Sequence, residues 1–262
     1  MKEFIRNILQ RFGYDIIKTG LPYFPKSKKT GAVTVGNYPI QMPGNNTQLI
    51  NYQLYPDLNI QLGRLAISIH KKYPGMTVID VGANVGDTIA VLKSAIDLPV
   101  IAVEGDEVCF EFLQRNIQQF QNVSLVKSYL GEKSQSIKVN LEHAGWNTTI
   151  IPEETGKRQI VFKTLDEIIH AGGFNYRQLK LLKVDVEGFD TIVLRGASEI
   201  IRAHRPVLFF EYNRKSMKAI NEEGLSTILS FEKEGYDKIV FFDHKGNLVL
   251  ATDMQNSEVI TY

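Results

Sequence analysis

A glycine-containing turn is the feature of this sequence best suited to contact a small ligand. It lies in V-I-D-V-G-A-N-V-G-D (78–87), where an apolar run that predicts a buried strand is followed by a predicted helix. Glycine in such a turn allows positive φ angles and lets a ligand approach the backbone closely. In open parallel sheets, ligands bind at the carboxyl ends of the strands, where this turn lies. We therefore predict a ligand-contacting loop of four residues: Gly82, Ala83, Asn84 and Gly86.

The residues around the turn disfavour two common phosphate sites. A P-loop needs G-x-x-x-x-G-K-[ST], and no lysine follows Gly86. A dinucleotide site needs a glycine where Asn84 stands. Asp80 repels phosphate but suits a cation, and S-adenosylmethionine (SAM) carries an ammonium and a sulfonium. We predict that Asp80 binds the amino-acid end of SAM directly or through water. The alternative is an ordinary strand-to-helix turn.

An acidic residue one strand later supports the same ligand. Glu104 ends the next predicted strand, roughly 20 residues beyond the turn, where a carboxylate can accept hydrogen bonds from both ribose hydroxyls. Asp106 is a weaker candidate for the cofactor site, since it also suits the cap of a helix that begins near Glu107. The turn and Glu104 together predict a nucleoside site.

Carboxylates at the end of a later strand are the candidates for the chemical step. K-V-D-V-E-G places Asp185 and Glu187 two residues apart, so in an extended chain both project to the same side. They could bind acceptor hydroxyls, act as a general base, or hold a divalent cation, which we do not expect. Alternatively, Glu187 caps the next helix and Asp185 bonds the turn backbone. Glu211, which ends the following strand, is a second candidate for contacting the acceptor.

A β-rich insertion over residues 134–163 supplies further candidates. Trp146 could stack on a sugar face while Asn147 bonds the sugar hydroxyls. His143 is a candidate general base, because histidine titrates near neutral pH. The alternatives are that Trp146 covers the core and that His143 is an ordinary surface residue.

Short β-rich runs alternate with helical segments from residue 76 onward, which predicts an α/β fold with a parallel sheet covered on both faces. The predicted strands are 77–82, 100–105, 122–127, 179–188 including its turn, and 206–212, followed by a hairpin around Lys245 and Gly246. We predict that residues 1–75 form an N-terminal extension with helical parts and an irregular part over 20–58. We expect this extension to serve as a lid or substrate-side element. We predict that residues 76–262 form the main domain.

Five sequence blocks resemble the FkbM family of SAM-dependent methyltransferases. They are DVGANVGDT (80–88), TLDEII (164–169), LLKVDVEGFD (181–190), LRGA (194–197) and RPVLFFE (205–211). The resemblance implies a class I, Rossmann-like sheet of seven strands in the order 3-2-1-4-5-7-6, and O-methylation of a sugar, glycan or other natural product. The absence of an Asn/Asp-Pro-Pro-aromatic motif also favours oxygen over nitrogen. The family often has Glu-Pro after the second strand, whereas Gly105 follows Glu104 here.

Composition narrows the location and the partners. A net charge of +1 gives no pull toward polyanions, so we expect no nucleic-acid partner. A single cysteine, Cys109, fits a cytoplasmic protein. Residues 1–20 are basic and amphipathic. We expect them to pack on the domain or on a second subunit of a homodimer. The alternative is that they bind to a membrane surface. The alternative functions are a nucleotide-sugar oxidoreductase and a SAM-binding partner subunit without turnover.

Overall fold

The N-terminal part of the described chain is more regular than its sequence predicts. The structure, a computed structural model, describes residues 30–44, 46–144, 147–153, 155–243 and 246–261. Its first elements are β1 (Thr30–Val35), β2 (Tyr38–Pro43), α1 (Gln48–Leu54) and α2 (Ile60–Lys72). The prediction of irregular structure over residues 20–58 is therefore wrong for these first three elements.

A two-residue turn explains the missed hairpin. β1 and β2 pair antiparallel from Thr30 opposite Pro43 to Val35 opposite Tyr38. Gly36 takes a φ of +56° between them, the conformation that tight hairpins require and that glycine supplies. The flanking strands are short and rich in turn-forming residues, so the prolines and glycines suggested a loop where they form a hairpin.

Apart from the β-rich insertion, strands and helices alternate from β3 to β11 as predicted. The next elements are β3 (Thr77–Val81), α3 (Asp87–Ala95), β4 (Val100–Glu104), α4 (Glu107–Asn116), β5 (Val123–Lys127), β6 (Tyr129–Leu130), β7 (Gln135–Ala144), β8 (Asn147–Pro152), β9 (Arg158–Lys163) and α5 (Leu165–Ala171). After them come β10 (Leu179–Val184), α6 (Asp190–Arg195), α7 (Ser198–His204), β11 (Val207–Phe210), α8 (Arg214–Ala219), α9 (Leu225–Ser230), β12 (Lys238–Phe242), β13 (Leu248–Asp253) and α10 (Ser257–Thr261).

The central sheet places the carboxyl ends of β3 and β10 side by side. Its order is β11-β10-β3-β4-β5, and its strands are all parallel. The chain runs outward from β3 through β4 to β5, then returns to the other side of β3 as β10. Strand order therefore reverses between β3 and β10, which is where open α/β sheets form their ligand crevice.

The prediction of seven strands in one sheet is not confirmed. The first five follow the predicted order 3-2-1-4-5, but β12 and β13 pair with each other as a separate antiparallel hairpin in the described part of the chain. The physical reason is their burial. Central strands such as β3 are buried along their whole length, whereas β12 and β13 keep most of their residues half-buried or exposed, as suits a two-stranded unit with its own pairing.

The predicted antiparallel insertion forms a second sheet. Its strand order is β6-β9-β7-β8. Val139 of β7 and Phe162 of β9 are buried in the same apolar cluster as Val193 of α6 and Ile200 of α7. The insertion therefore packs on the face of the domain that carries α5, α6 and α7.

Apolar residues on alternate positions of the strands build the core on both faces of the central sheet. Ile79 and Val81 join the cluster of α5–α7, whereas Val78 joins a second cluster with α2, α3 and α4, as the two-residue period of a strand requires. None of the helices in the described ranges has the length and apolar character needed to cross a bilayer.

Candidate active site

The glycine turn packs directly on the end of β10. Gly82 follows β3 with a φ of +74°, and a Cβ atom there would lie 1.9 Å from the carbonyl oxygen of Asp185. No other residue fits without moving one of the two strands. The predicted need for glycine at position 82 thus has two causes, the positive φ angle and the closeness of the neighbouring strand end.

Four N–H groups of the turn are already engaged within the protein. The N–H groups of Gly82 and Ala83 donate to the carbonyl of Val103 (2.9 and 3.1 Å), and that of Gly86 donates to Ala83 (2.8 Å). The N–H of Asn84 donates to Glu104 Oε2 (2.9 Å). A phosphate site needs free N–H groups, so the turn suits a ligand bound through carbonyls, side chains and van der Waals contact.

A buried ion pair that the sequence interpretation missed lies beneath the turn. Lys183 Nζ lies 2.9 Å from Asp80 Oδ1 and donates to the carbonyl of Gly82 at 3.1 Å. Thr88 donates to Asp80 Oδ2 at 2.6 Å. Asp80 is 0% exposed and Lys183 is 2% exposed. The two residues are opposite one another in the register of β3 and β10, a signal available once these strands are paired.

This pair gives Asp80 a structural role beside its predicted one. Burial opposes the charge on Lys183, but the carboxylates of Asp80 and Asp185 more than offset it and raise the pKa of the ammonium. A charged Lys183 neutralises Asp80, so Asp80 holds the turn in shape while Asp185, with its side chain 49% exposed, offers the accessible negative charge. That Asp80 binds a cation directly or through water stays a prediction.

Glu104 is the last residue of β4, and its contact with the ribose stays a prediction. Its Oε1 accepts the N–H of Asp106 at 2.7 Å and its Oε2 that of Asn84, and each oxygen retains a lone pair for a hydroxyl. Burial raises the pKa of Glu104 to about 7, against the lowering effect of these backbone hydrogen bonds. Asp106 caps α4 by accepting from the N–H groups of Val108 and Cys109, which is the structural alternative that its sequence context allowed.

An unpaired polar atom in the turn supports a polar ligand. Asn84 Oδ1 is buried and has no hydrogen-bond partner among the described residues, and Asn84 takes a φ of +49°, an uncommon conformation for a residue with a side chain. Buried acceptors are normally satisfied. Asn84 Oδ1 and the Glu104 carboxylate offer acceptors that suit the amino-acid and ribose groups of SAM.

Four carboxyl groups gather beyond the ends of β10 and β11. Burial and the negative charges of Asp185 and Glu211 raise the pKa of Glu187 to about 7. Burial and Asp185 raise the pKa of Asp190 to about 7, and burial followed by Asp185 raises that of Glu211. Sequence interpretation missed Asp190, because an aspartate at the start of a helix has an ordinary structural explanation. In the structure Asp190 accepts the N–H of Gly188 at 3.2 Å.

The extended chain on which the predicted same-side projection of Asp185 and Glu187 rests is not present. β10 ends at Val184, and Glu187 takes a left-handed φ of +55°, so the alternation of an extended strand no longer applies. The charge of Asp185 nevertheless acts on Glu187 and contributes to its raised pKa. Left-handed backbone at a residue with a long side chain costs free energy and is frequent at functional sites.

A cavity of about 880 Å³ lies next to Glu104, between the ends of β4 and β5 and strand β9. Its lining includes Gly105, Asp106, Val108, Tyr129, Arg158 and Val161. A Cβ atom at Gly105 would lie 2.4 Å from the ring of Tyr129. This contact gives a physical reason for glycine where the family often has proline.

The predicted residues of the insertion are only partly described. The backbones of His143 and Asn147 pair in the β7–β8 hairpin, and their side chains are not among those described. Trp146 lies outside the described residues, as do residues 1–20. In the described ranges, no cluster of three or more His, Cys, Asp or Glu side chains has the geometry to hold a metal ion.

Comparison with known proteins decides the family. Residues 80–238 match the methyltransferase FkbM domain. The chain belongs to the FkbM family. The matched range includes the turn, Glu104 and the carboxylates after β10, so this FkbM protein is a methyltransferase whose methyl donor is SAM.

Solved structures similar to this FkbM protein are distant methyltransferases and related enzymes. A precorrin-6y C5,15-methyltransferase from Geobacter metallireducens is 10% identical, with 69% of this chain and 74% of that chain covered and a TM-score of 0.39. A SAM-dependent methyltransferase from Aquifex aeolicus is 16% identical, with 70% and 85% covered and a TM-score of 0.36. A precorrin-8w decarboxylase from Methanobacterium thermoautotrophicum is 12% identical, with 72% and 85% covered and a TM-score of 0.38. No match to a curated protein sequence was found. The family assignment rests on the domain match.

Proposed function

We propose that this FkbM protein transfers the methyl group of SAM to a hydroxyl oxygen of a sugar, glycan or other natural product. One observation carries the proposal: a carboxyl group with a pKa of about 7, that of Glu187, lies beside the accessible carboxylate of Asp185 at the carboxyl end of β10. A general base is most effective when its pKa lies near the working pH. This pair suits a neutral, polar acceptor that must lose a proton.

The donor would lie across the carboxyl ends of β3 and β4. The ribose hydroxyls reach Glu104, and the amino-acid end lies against the turn and Asn84. The cavity next to Gly105 then receives the adenine, since it continues from the ribose end and has a volume in the range of about 300–1,000 Å³ usual for ligand pockets. This orientation directs the methyl group toward Asp185.

The chemistry is a displacement at carbon. The bound SAM supplies an activated methyl group, whose bond to sulfur breaks as a bond to the acceptor oxygen forms. The hydroxyl proton passes to the carboxylate of Glu187 or Asp185, and S-adenosylhomocysteine (SAH) leaves as a neutral thioether. Because the donor already carries an activated methyl group, alignment and proton removal are the tasks of the protein.

Transfer of radiolabelled methyl groups tests the proposal. The full-length protein is incubated with methyl-labelled SAM and separate panels of sugars and glycans, phenolic and polyketide alcohols, and amines. We expect labelled ethers, stable to mild base, from a hydroxyl panel. Label found only in amines, or in no panel although SAM binds, would overturn O-methylation and, in the second case, favour a binding subunit.

Variants connect activity to the site. Asp185→Asn and Glu187→Gln should each lower turnover by about 10²-fold or more, in keeping with the loss of a general base or an aligning group. Their affinity for SAM should change much less than turnover does. Glu111→Gln, which alters an exposed carboxylate on α4, is the matched control and should leave turnover unchanged.

A further inference from the structure

The N-terminal segment of residues 30–72 packs on the back of the glycine turn. Val35, Ile40 and Tyr52 of this segment share one buried apolar cluster with Val85 of the turn and Ala90 of α3. Tyr52 is 1% exposed. The wall behind the donor site is therefore built by residues outside the matched FkbM range.

The phenol of Tyr52 makes a buried hydrogen bond to the first residue of α3. Tyr52 Oη donates to Asp87 Oδ2 at 2.7 Å, and Asn59 Nδ2 donates to the phenol oxygen at 3.2 Å. Asp87 is 5% exposed and directly follows Gly86, so a displacement of its side chain displaces the end of the turn. A buried carboxylate requires such a donor, because leaving it unpaired is costly.

A second contact holds the middle of the same turn. Asn116, 4% exposed, donates from Nδ2 to the carbonyls of Val85 (2.8 Å) and Gln41 (2.7 Å), and its Oδ1 accepts the N–H of Gln41 (2.9 Å). Asn116 thus connects β2 to the turn. The segment contacts the donor loop at two points, through Val85 and through Asp87.

We propose that Tyr52 is a positioning residue for SAM, which holds Asp87 and thereby the conformation of residues 82–87, so that the donor site is complete only with the N-terminal segment in place. Tyr52 is also close enough to the carboxylate of Asp185 for that charge to influence its phenol. The inference rests on SAM binding and is independent of which acceptor is used.

Calorimetric titration with SAM and with SAH tests this inference on the full chain. Tyr52→Phe removes only the hydroxyl, and we expect the Kd for both ligands to rise about tenfold, as suits the loss of one buried hydrogen bond. Tyr55→Phe is the control, since Tyr55 is 49% exposed and lies on the same segment; its Kd values should equal those of the wild type.

A double-mutant cycle separates positioning from general weakening of the fold. In an Asp87→Ala background, Tyr52→Phe should change the Kd for SAM by less than about twofold, because no side-chain acceptor remains at position 87 for the phenol. Asn59→Gly preserves the left-handed backbone at that position and should raise the Kd in the same direction as Tyr52→Phe; it also serves if Tyr52→Phe does not fold. The inference is overturned if the folded Tyr52→Phe protein has an unchanged Kd, or if Tyr52→Phe has the same effect with and without Asp87. If Tyr52→Phe does not fold, an unchanged Kd in Asn59→Gly has the same meaning. None of these results would argue against methyl transfer.

Discussion

Lys183 Nζ lies 2.9 Å from Asp80 Oδ1 across two neighbouring parallel strands, and neither side chain reaches solvent. The pair joins the strand that begins the donor site to the strand that begins the acceptor site. A buried ion pair adds little net stability compared with apolar residues, but removing one partner leaves an unpaired charge. The main contribution of the ion pair is therefore to hold β3 and β10, and with them the donor and acceptor sides of the site, in a fixed position relative to each other.

Removing the lysine should destabilise the protein strongly. Lys183→Met leaves Asp80 buried without its counter-charge, and we expect the free energy of unfolding to fall by about 3–5 kcal/mol, measured by urea denaturation. Adding Asp80→Asn should recover part of the loss. Lys127→Met breaks an exposed ion pair with Glu107 and should cost less than about 1 kcal/mol. A loss as small for Lys183→Met would contradict the buried pair.

Substitution of two glycines with similar φ angles should distinguish strain from close packing. Gly82→Ala adds a Cβ atom 1.9 Å from the carbonyl of Asp185, whereas Gly75 (φ +77°) has open space around it. We expect Gly75→Ala to cost only the left-handed strain, about 1–2 kcal/mol, and to retain SAM binding. Gly82→Ala should abolish SAM binding or prevent folding. Equal effects in thermal denaturation and calorimetry would argue against contact between the turn and β10.

Binding of SAM should strengthen as the pH rises through about 7. In the free protein Glu104, with a pKa of about 7, is protonated below that pH and ionised above it, and the ionised form accepts both ribose hydroxyls. Calorimetry at pH 6 and pH 8 should show tighter binding at pH 8. At pH 6, binding should release protons, which is detected as a binding enthalpy that varies with the buffer.

Glu104→Gln assigns that pH dependence to one residue. The variant should bind SAM about 10–100-fold more weakly at pH 8, as expected when hydrogen bonds to a charged group are lost, and its remaining pH dependence should be smaller. If wild type and variant show the same ratio of Kd values between pH 6 and pH 8, the ribose does not contact Glu104.

Asp190 should make the protein less stable as the pH rises. Its folded-state pKa of about 7 lies above the value of 3.8 for an unperturbed aspartate, so the folded protein holds the proton more tightly than the unfolded chain. The stabilisation that this tighter proton binding gives the folded state is present below about pH 4 and is lost as the pH rises to about 7. Asp190→Asn should therefore gain stability relative to wild type between pH 5 and pH 8 in urea denaturation. Asp57→Asn, at an exposed position, is the reference, and a pH-independent difference for Asp190→Asn would contradict the prediction.

The sequence predicts the donor side of the site better than the acceptor side. Gly82 and Glu104 are recognisable because a turn and a strand end fix their places along the chain. Lys183 is not, because a lysine in an apolar strand acquires its meaning only from Asp80 on the next strand. Glu187 is harder to place for a local reason: it takes a left-handed φ after β10 has ended, so the alternation of a regular strand no longer predicts the direction of its side chain.

The N-terminal segment shows a different limit. Tyr52 and Asp87 are 35 residues apart in the chain, and no local periodicity connects them. The hairpin at Gly36 is hidden among residues that equally predict a loop. The sheet order of five strands follows from alternating elements, whereas the placement of β12 and β13 depends on tertiary packing that the alternation does not encode.

The close contact between Gly105 and Tyr129 makes the residue that fits at one position depend on the residue at the other. Because the ring occupies the volume of a side chain at position 105, a relative that carries proline there must have a smaller or differently oriented residue at position 129. The two positions should therefore co-vary across the family, and each combination should give the neighbouring cavity its own width.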